Sequence, residues 1–190
     1  MTRTPEDRSK WKAVHTRKID MRTFETGPGA IVVEGTLIDD RLYATYPMSG
    51  ERRPPGVVHH MTIRMHVVGP DLTIEAIEVA MPAVPREECR ETQSSLDRLL
   101  GMRIAAGFTE KVKAQIGGAA GCTHLTALLL AMAPAAVQGF WAAISQKAMD
   151  PALYGDRAVT FLTDTCRVWR RDGPLMAEFK SNLETAAEDK

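Results

Sequence analysis

His59, Met61, Ile63, Met65 and Val67 alternate with His60, Thr62, Arg64 and His66. A period of two puts the first set on one buried face of a strand, so His59 is expected to point where the core residues point. The β-branched run Ala30 to Asp39 and the segment Leu72 to Met81 read as further strands, with Trp11 to Met21 as the first. Gly27-Pro28-Gly29 and Gly69-Pro70-Asp71 supply turn chemistry between them. The pattern predicts an antiparallel meander of about four strands. Between the second and third, Arg41 to Gly56 carries Pro47, Gly50, Pro54 and Pro55 among polar residues, the composition of a long surface loop of the kind that lines sites.

Past Pro82 and Pro85 the period becomes helical. Glu87 to Leu100 closes at Gly101, and Thr109 to Ile116 closes at Gly117. Thr123 is expected to cap a long apolar helix that Pro134 must kink or divide in two. Asp150-Pro151 places a capping carboxylate before a proline, starting a helix expected to reach about Arg171. Gly173-Pro174 stops it, and a last polar helix follows. The predicted fold class is α+β, with an N-terminal β-meander packed against a C-terminal helical half that contains one central buried helix. One domain is expected over residues 1–190: a flexible arm at 1–10, mainly strands at 11–82 and mainly helices at 86–187. Trp11, Trp141, Trp169, Phe140 and Phe161 are assigned to the core.

Ala114 to Gln146 contains no charged side chain and is long enough to span a bilayer. Its Gln115, His124, Pro134, Gln138 and several glycines instead suit a helix apolar all round and wrapped by protein, so no membrane is expected. Lys plus Arg and Asp plus Glu both total 24, which removes the basic footprint of a nucleic-acid binder. Met1 to Lys12 has no apolar stretch that would serve as a secretory signal, and a cytoplasmic location is expected. Cys89, Cys122 and Cys166 form an odd, widely spaced set, read as free thiols or ligands in a reducing compartment.

The glycine-rich run Gly117 to Gly121 leads into the start of the long helix, where backbone N–H groups and the helix dipole favour an anion. The run lacks the Lys-Ser/Thr of a phosphate loop, and its alternative reading is a tight turn. Cys122 at the helix start is a candidate nucleophile or a small buried hydrophobe. His124 and His59 are candidate acids or bases. Asp39, Asp40, Tyr43 and Tyr46 lead from the second strand into the long loop and offer groups for proton transfer. Arg17, Arg64 and His66 suggest a polar sheet face, read first as a solvated surface and alternatively as one that accepts an anion. Cys89, Cys122, His124 and His59 would supply the two sulfur and two nitrogen ligands of a zinc site, should a metal be bound.

Gly121-Cys122-Thr123-His124-Leu125-Thr126-Ala127-Leu128-Leu129 is the most specific string in the chain. Around it stand Glu34-Gly35-Thr36-Leu37-Ile38-Asp39, Pro55-Gly56 followed by His59 and Met61, Pro85 with Cys89, and Leu99-Leu100-Gly101-Met102-Arg103-Ile104. In these landmarks and their order, the chain resembles a bacterial family catalogued as domain of unknown function number 2889, over roughly Thr16 to Gly139. His60 and Ala127 stand where the resemblance leads one to expect acidic residues. The resemblance implies the fold and the choice of residues, and no mechanism.

No nucleotide motif, serine-hydrolase elbow or redox fingerprint is present. By exclusion, the sequence suggests a cofactor-independent enzyme of bacterial catabolism. The class expected is a lyase of retro-aldol or elimination type, acting on a hydrophobic small molecule, an aromatic one included, in a pocket between the sheet and the central helix. His59, His124, Asp39 and Tyr43 are the expected catalytic residues. Gly121, Cys122, Thr123, Arg64 and Tyr46 are expected to contact substrate. A non-catalytic module binding an anion or small ligand, and a zinc-stabilised structural domain, are the alternatives. A homo-oligomer stays open.

Overall fold

The computed structural model describes residues 7–147 and 151–188. Most of the arm expected at 1–10 lies outside the described residues, as does the Asp150 cap. Arg8–Lys10 form one 3-10 turn. Four strands, β1 (His15–Gly27), β2 (Ala30–Arg41), β3 (Gly56–Val68) and β4 (Thr73–Ala83), make one antiparallel sheet in that order. Gly29 and Gly69 take φ values of +70° and +67° in the two tight turns, a region glycine enters at no steric cost. The first strand begins at His15 and not at Trp11, because β2 ends at Arg41, the partner of His15, and leaves earlier residues without a ladder. Trp11 is consequently exposed and not part of the core.

Ile31, Val33, Leu37, Met61, Ile63, Met65 and Val67 line one face of the sheet and are fully buried. Among the described residues four α-helices follow: α1 (Phe108–Ile116), α2 (Thr123–Ile144), α3 (Pro151–Leu162) and α4 (Pro174–Glu188). The architecture is α+β, as the alternation and the later helical period predict. Helix α2 lies on the sheet through Leu125, Leu128, Leu129, Met132, Ala136 and Phe140. Each such buried Leu, Met or Phe contributes about 1.5–3 kcal/mol. Gly35 makes the close approach possible. A Cβ there would sit 2.7 Å from Met132 Sδ and 3.2 Å from Leu128 Cδ1.

Four local expectations are corrected. The segment Glu87–Leu99 is wound as a 3-10 helix, held by hydroxyls that reach back three residues: Thr92 Oγ1 to the Cys89 carbonyl at 2.7 Å and Ser95 Oγ to the Thr92 carbonyl at 2.6 Å. Helix α2 runs unbroken through Pro134, which lies on the exposed side, where water can satisfy the carbonyl the proline leaves unpaired. The same helix is not buried all round. One face packs on the sheet, and by length and composition alone α2, at hydropathy 1.7, could cross a membrane. Helix α3 stops at Leu162 because Asp164 turns left-handed (φ 62°) and its carboxylate accepts the backbone N–H of Arg171 at 2.8 Å.

Candidate functional site

The register sets Arg17, Asp39 and His59 directly opposite one another across β1, β2 and β3. Opposed residues share a face, here the face that carries Leu37 and Met61 one step further along. The apolar core ends at this row and a polar cluster replaces it. The Asp39 side chain is only 3% exposed. Arg17 clamps it with a two-pronged bridge, Nε to Oδ1 at 2.6 Å and Nη2 to Oδ2 at 2.7 Å. His59 Nδ1 lies 3.0 Å from Oδ2. His15, two residues before Arg17 on the same face, brings Nε2 to 3.4 Å from Oδ1.

Helix α2 adds the remaining groups from its first turn. His124 Nε2 is 3.7 Å from Asp39 Oδ2, and its ring stacks on His59 with centroids 3.8 Å apart. Cys122 Sγ is 3.9 Å from His124 Nδ1. The turn that delivers them depends on Gly121, where a Cβ would meet the Ile116 carbonyl oxygen at 2.5 Å and Ser95 Oγ at 3.0 Å. Gly121→Ala is therefore expected to push the turn away from α1. The cost is about 1–3 kcal/mol of stability, and the His124 ring moves off His59. Thermal melting gives the first effect and the proton NMR shifts of the two stacked imidazoles the second.

Charge states follow from these contacts. The hydrogen bonds from Arg17, and its charge, hold the Asp39 carboxyl below the usual carboxylate range although burial pushes the other way. Asp39 is thus ionised at neutral pH and can only accept, so His59 Nδ1 must be the donor, and in the neutral ring the lone pair lies on Nε2. Burial, then the neighbouring His59 and Arg17, press His124 below the ordinary histidine value against the pull of Asp39. His124 is neutral at pH 7.

Of the residues singled out from sequence, Asp39, His59, His124 and Cys122 are brought together. Tyr43 and Tyr46 are exposed, and the Tyr43 ring lies 3.7 Å under the Lys12 ammonium. Arg64 is on the opposite face of the sheet, since it pairs with Glu34, five residues from Asp39. It bonds Glu34 at 2.7 Å and reaches Glu78 at 3.7 Å, and His66 lies 3.5 Å from Glu78. The anion-accepting face expected from Arg17, Arg64 and His66 is therefore divided between two sides. Thr123 is the first residue of α2, exposed, and Cys122 occupies the cap position without a side-chain bond. Sequence reading missed His15 and the clamp by Arg17. Counting pairs back from the Gly27-Pro28-Gly29 turn sets Arg17 opposite Asp40 and misses both, because a bulge between Glu25 and Gly27 shifts the register by one.

The zinc set is corrected too. Among the described residues, the His, Cys, Asp and Glu side chains whose ligand atoms all converge within 4.8 Å are Asp39, His59 and His124; Cys89 packs against the core instead. Two imidazoles and a carboxylate are suitable ligands for a divalent ion. Here, however, Arg17 already holds both carboxylate oxygens, and a fixed guanidinium charge at that distance opposes a cation. The donor set does not fit a metal well.

Between sheet and helix, Leu37, Met61, Ile63, Leu128 and Met132 pack together in the core. Two shallow grooves flank the glycine-rich turn. One of about 380 Å³ is lined by Lys113, Gly117, Thr123, Ala127 and Leu130, and one of about 220 Å³ by Glu91, Ser94, Arg98 and Gly121. Neither is lined by Asp39, His59 or His124. The imidazole cluster is partly exposed, on the seam where β1, β2, β3 and the start of α2 meet.

No curated protein and no solved structure matches the chain. The model of a family described as a protein of unknown function, DUF2889, matches residues 15–138. That span begins at His15 and takes in Arg17, Asp39, His59, Cys122 and His124. With more than half of its length matched, the chain belongs to the DUF2889 family.

Proposed function

We propose that the protein is a small-molecule lyase of bacterial catabolism, working in the cytoplasm by acid–base chemistry and without a cofactor. The observation that carries this reading is the 3.0 Å contact between the buried Asp39 carboxylate and His59 Nδ1. It fixes the tautomer and leaves Nε2 as a base. Among the described residues no buried side-chain nitrogen or oxygen lacks a partner, so Nε2, which bonds none of them, reaches solvent.

In a retro-aldol cleavage, Nε2 takes the proton of a β-hydroxyl group, and the neighbouring carbon–carbon bond breaks to a carbonyl compound and an enolate. The imidazolium then returns the proton to the enolate carbon. Asp39 stabilises the imidazolium while it lasts. The first turn of α2 has no side-chain cap, so its free N–H groups are donors for the developing oxyanion. The proposed substrate is a hydrophobic small molecule, an aromatic one included.

The test is a panel of aryl β-hydroxy carbonyl compounds and aryl β-hydroxy acids, incubated with protein purified without added metal. Released carbonyl products are trapped with a hydrazine and read by mass spectrometry, and metal content is measured by elemental analysis of the same sample. The expected result is carbonyl release that survives a chelator. Release that stops with the chelator would replace the reading with metal-assisted chemistry, and compounds that bind without turning over would leave a binding module.

A further inference from the structure

We infer that the substrate carries a carboxylate, held by the outward edges of Arg17 and His15. This rests on the reading of the imidazole cluster as a small-molecule site and names its ligand class.

The distribution of charge supports it. The cluster contains one acid, Asp39, and that acid is underneath, 3% exposed, with Arg17, His15, His59 and His124 arranged over and around it. What solvent meets is the nitrogen-bearing side: Arg17 is 39% and His15 50% exposed. Arg17 spends Nε and Nη2 on Asp39, so its other nitrogen, Nη1, faces away from the carboxylate with both hydrogens to donate. His15 turns Nε2 to Asp39 Oδ1 at 3.4 Å and leaves the rest of its half-exposed ring to solvent, where Nδ1 donates when the ring is protonated. An approaching carboxylate meets Arg17 Nη1 and this ring edge, and no exposed acid within the cluster. The clamp also holds the guanidinium plane rigid, so little side-chain freedom is lost when the anion docks.

The opposite face of the sheet shows the contrast. Arg64 lies between Glu34 and Glu78, and His66 turns to Glu78, so cation and acid cancel at the surface there. The two faces carry arginine and histidine alike, and only the inner one leaves them unbalanced toward solvent.

Benzoate and its neutral isostere benzamide are the probes, titrated into the full chain by calorimetry and followed by the proton NMR shifts of the histidine rings. Benzoate is expected to bind at least tenfold more tightly than benzamide and to shift the His15 and His59 resonances. His15→Gln is expected to weaken benzoate about threefold to tenfold, and Arg64→Gln on the far face to leave it unchanged. Arg17→Lys, which keeps the charge and loses the fork, should weaken it further than His15→Gln. Equal affinity for benzoate and benzamide, or binding that responds to Arg64→Gln and not to His15→Gln, would overturn the inference. The lyase reading fails separately. Benzoate binding without carbonyl release from any carboxylate-bearing substrate would discard the reaction and keep the anion site, whereas equal release from charged and neutral substrates would do the reverse.

Discussion

His59→Ala is expected to lower turnover by about 10²- to 10⁴-fold, the range for removing a positioned general base, while the folded state loses only about 1 kcal/mol. The two effects separate because Asp39 Oδ2, which accepts from His59 Nδ1 at 3.0 Å, also accepts from Arg17 Nη2 at 2.7 Å. Removing the imidazole takes one hydrogen bond from a carboxylate that keeps its strongest partner, and a single hydrogen bond is worth about 1 kcal/mol net. Steady-state kinetics on whichever substrate releases a carbonyl compound, set beside urea unfolding of the same variant, measures both. His124→Gln serves as the comparison, since His124 stands 3.7 Å from the carboxylate, beyond hydrogen-bond distance. Its loss should cost less turnover than that of His59. A His59→Ala variant that keeps its rate within threefold would remove His59 from the chemistry, whatever the outcome for His124.

The strands were legible because their physics is local. Alternation from His59 to Val67 assigns each residue to a face without reference to any other part of the chain, and the glycines at 29 and 69 mark turns that only positive φ can make. The same alternation placed His59 on the inner face. Its partners were not legible in this way, because they depend on register. Arg17, Asp39 and His59 stand 22 and 20 positions apart in sequence and meet only when two hairpins are paired in the right frame; one residue of slip would turn each side chain to the other face. Grouping Arg17 with Arg64 was the error that follows from judging residues by type alone. The helix over Glu87–Leu99 was misread for a different reason: i to i+3 spacing fits α and 3-10 windings almost equally over three turns, and the choice was made by Thr92 and Ser95 hydroxyls bonding backward. Tyr43 followed Asp39 closely in sequence but lies past the strand end, where the backbone no longer dictates a face.

Arg17→Gln is expected to destabilise the protein by about 3 kcal/mol at pH 7, and Asp39→Asn by clearly less. In a surface ion pair the two losses would be similar and small. Here burial is unequal: Arg17 is 39% exposed and Asp39 only 3%. Removing the aspartate leaves a guanidinium that water can solvate, whereas removing the arginine leaves a carboxylate under the sheet-helix seam with only histidine partners. Stripping one partner from a buried pair costs about 3–5 kcal/mol, and the lower end applies because Arg17 is itself partly screened and His59 still donates. The pH dependence has a definite sign. Arg17 holds the folded-state Asp39 carboxyl below its unfolded value, so the stabilisation is complete above the unfolded carboxylate value of about 3.9 and disappears as pH falls through the lower, folded one. The gap between wild type and Arg17→Gln should therefore be full at pH 7, begin to narrow below about pH 4 and close only below the lower, folded-state value. Urea unfolding at pH 7 and pH 3 reads it directly. The double variant Arg17→Gln with Asp39→Asn should recover most of the loss at pH 7, since the pair interaction is counted once and no buried charge remains. Losses that simply add, or that stay constant between the two pH values, would mean that the clamp contributes packing and that Asp39 is not the buried anion on which the site is built.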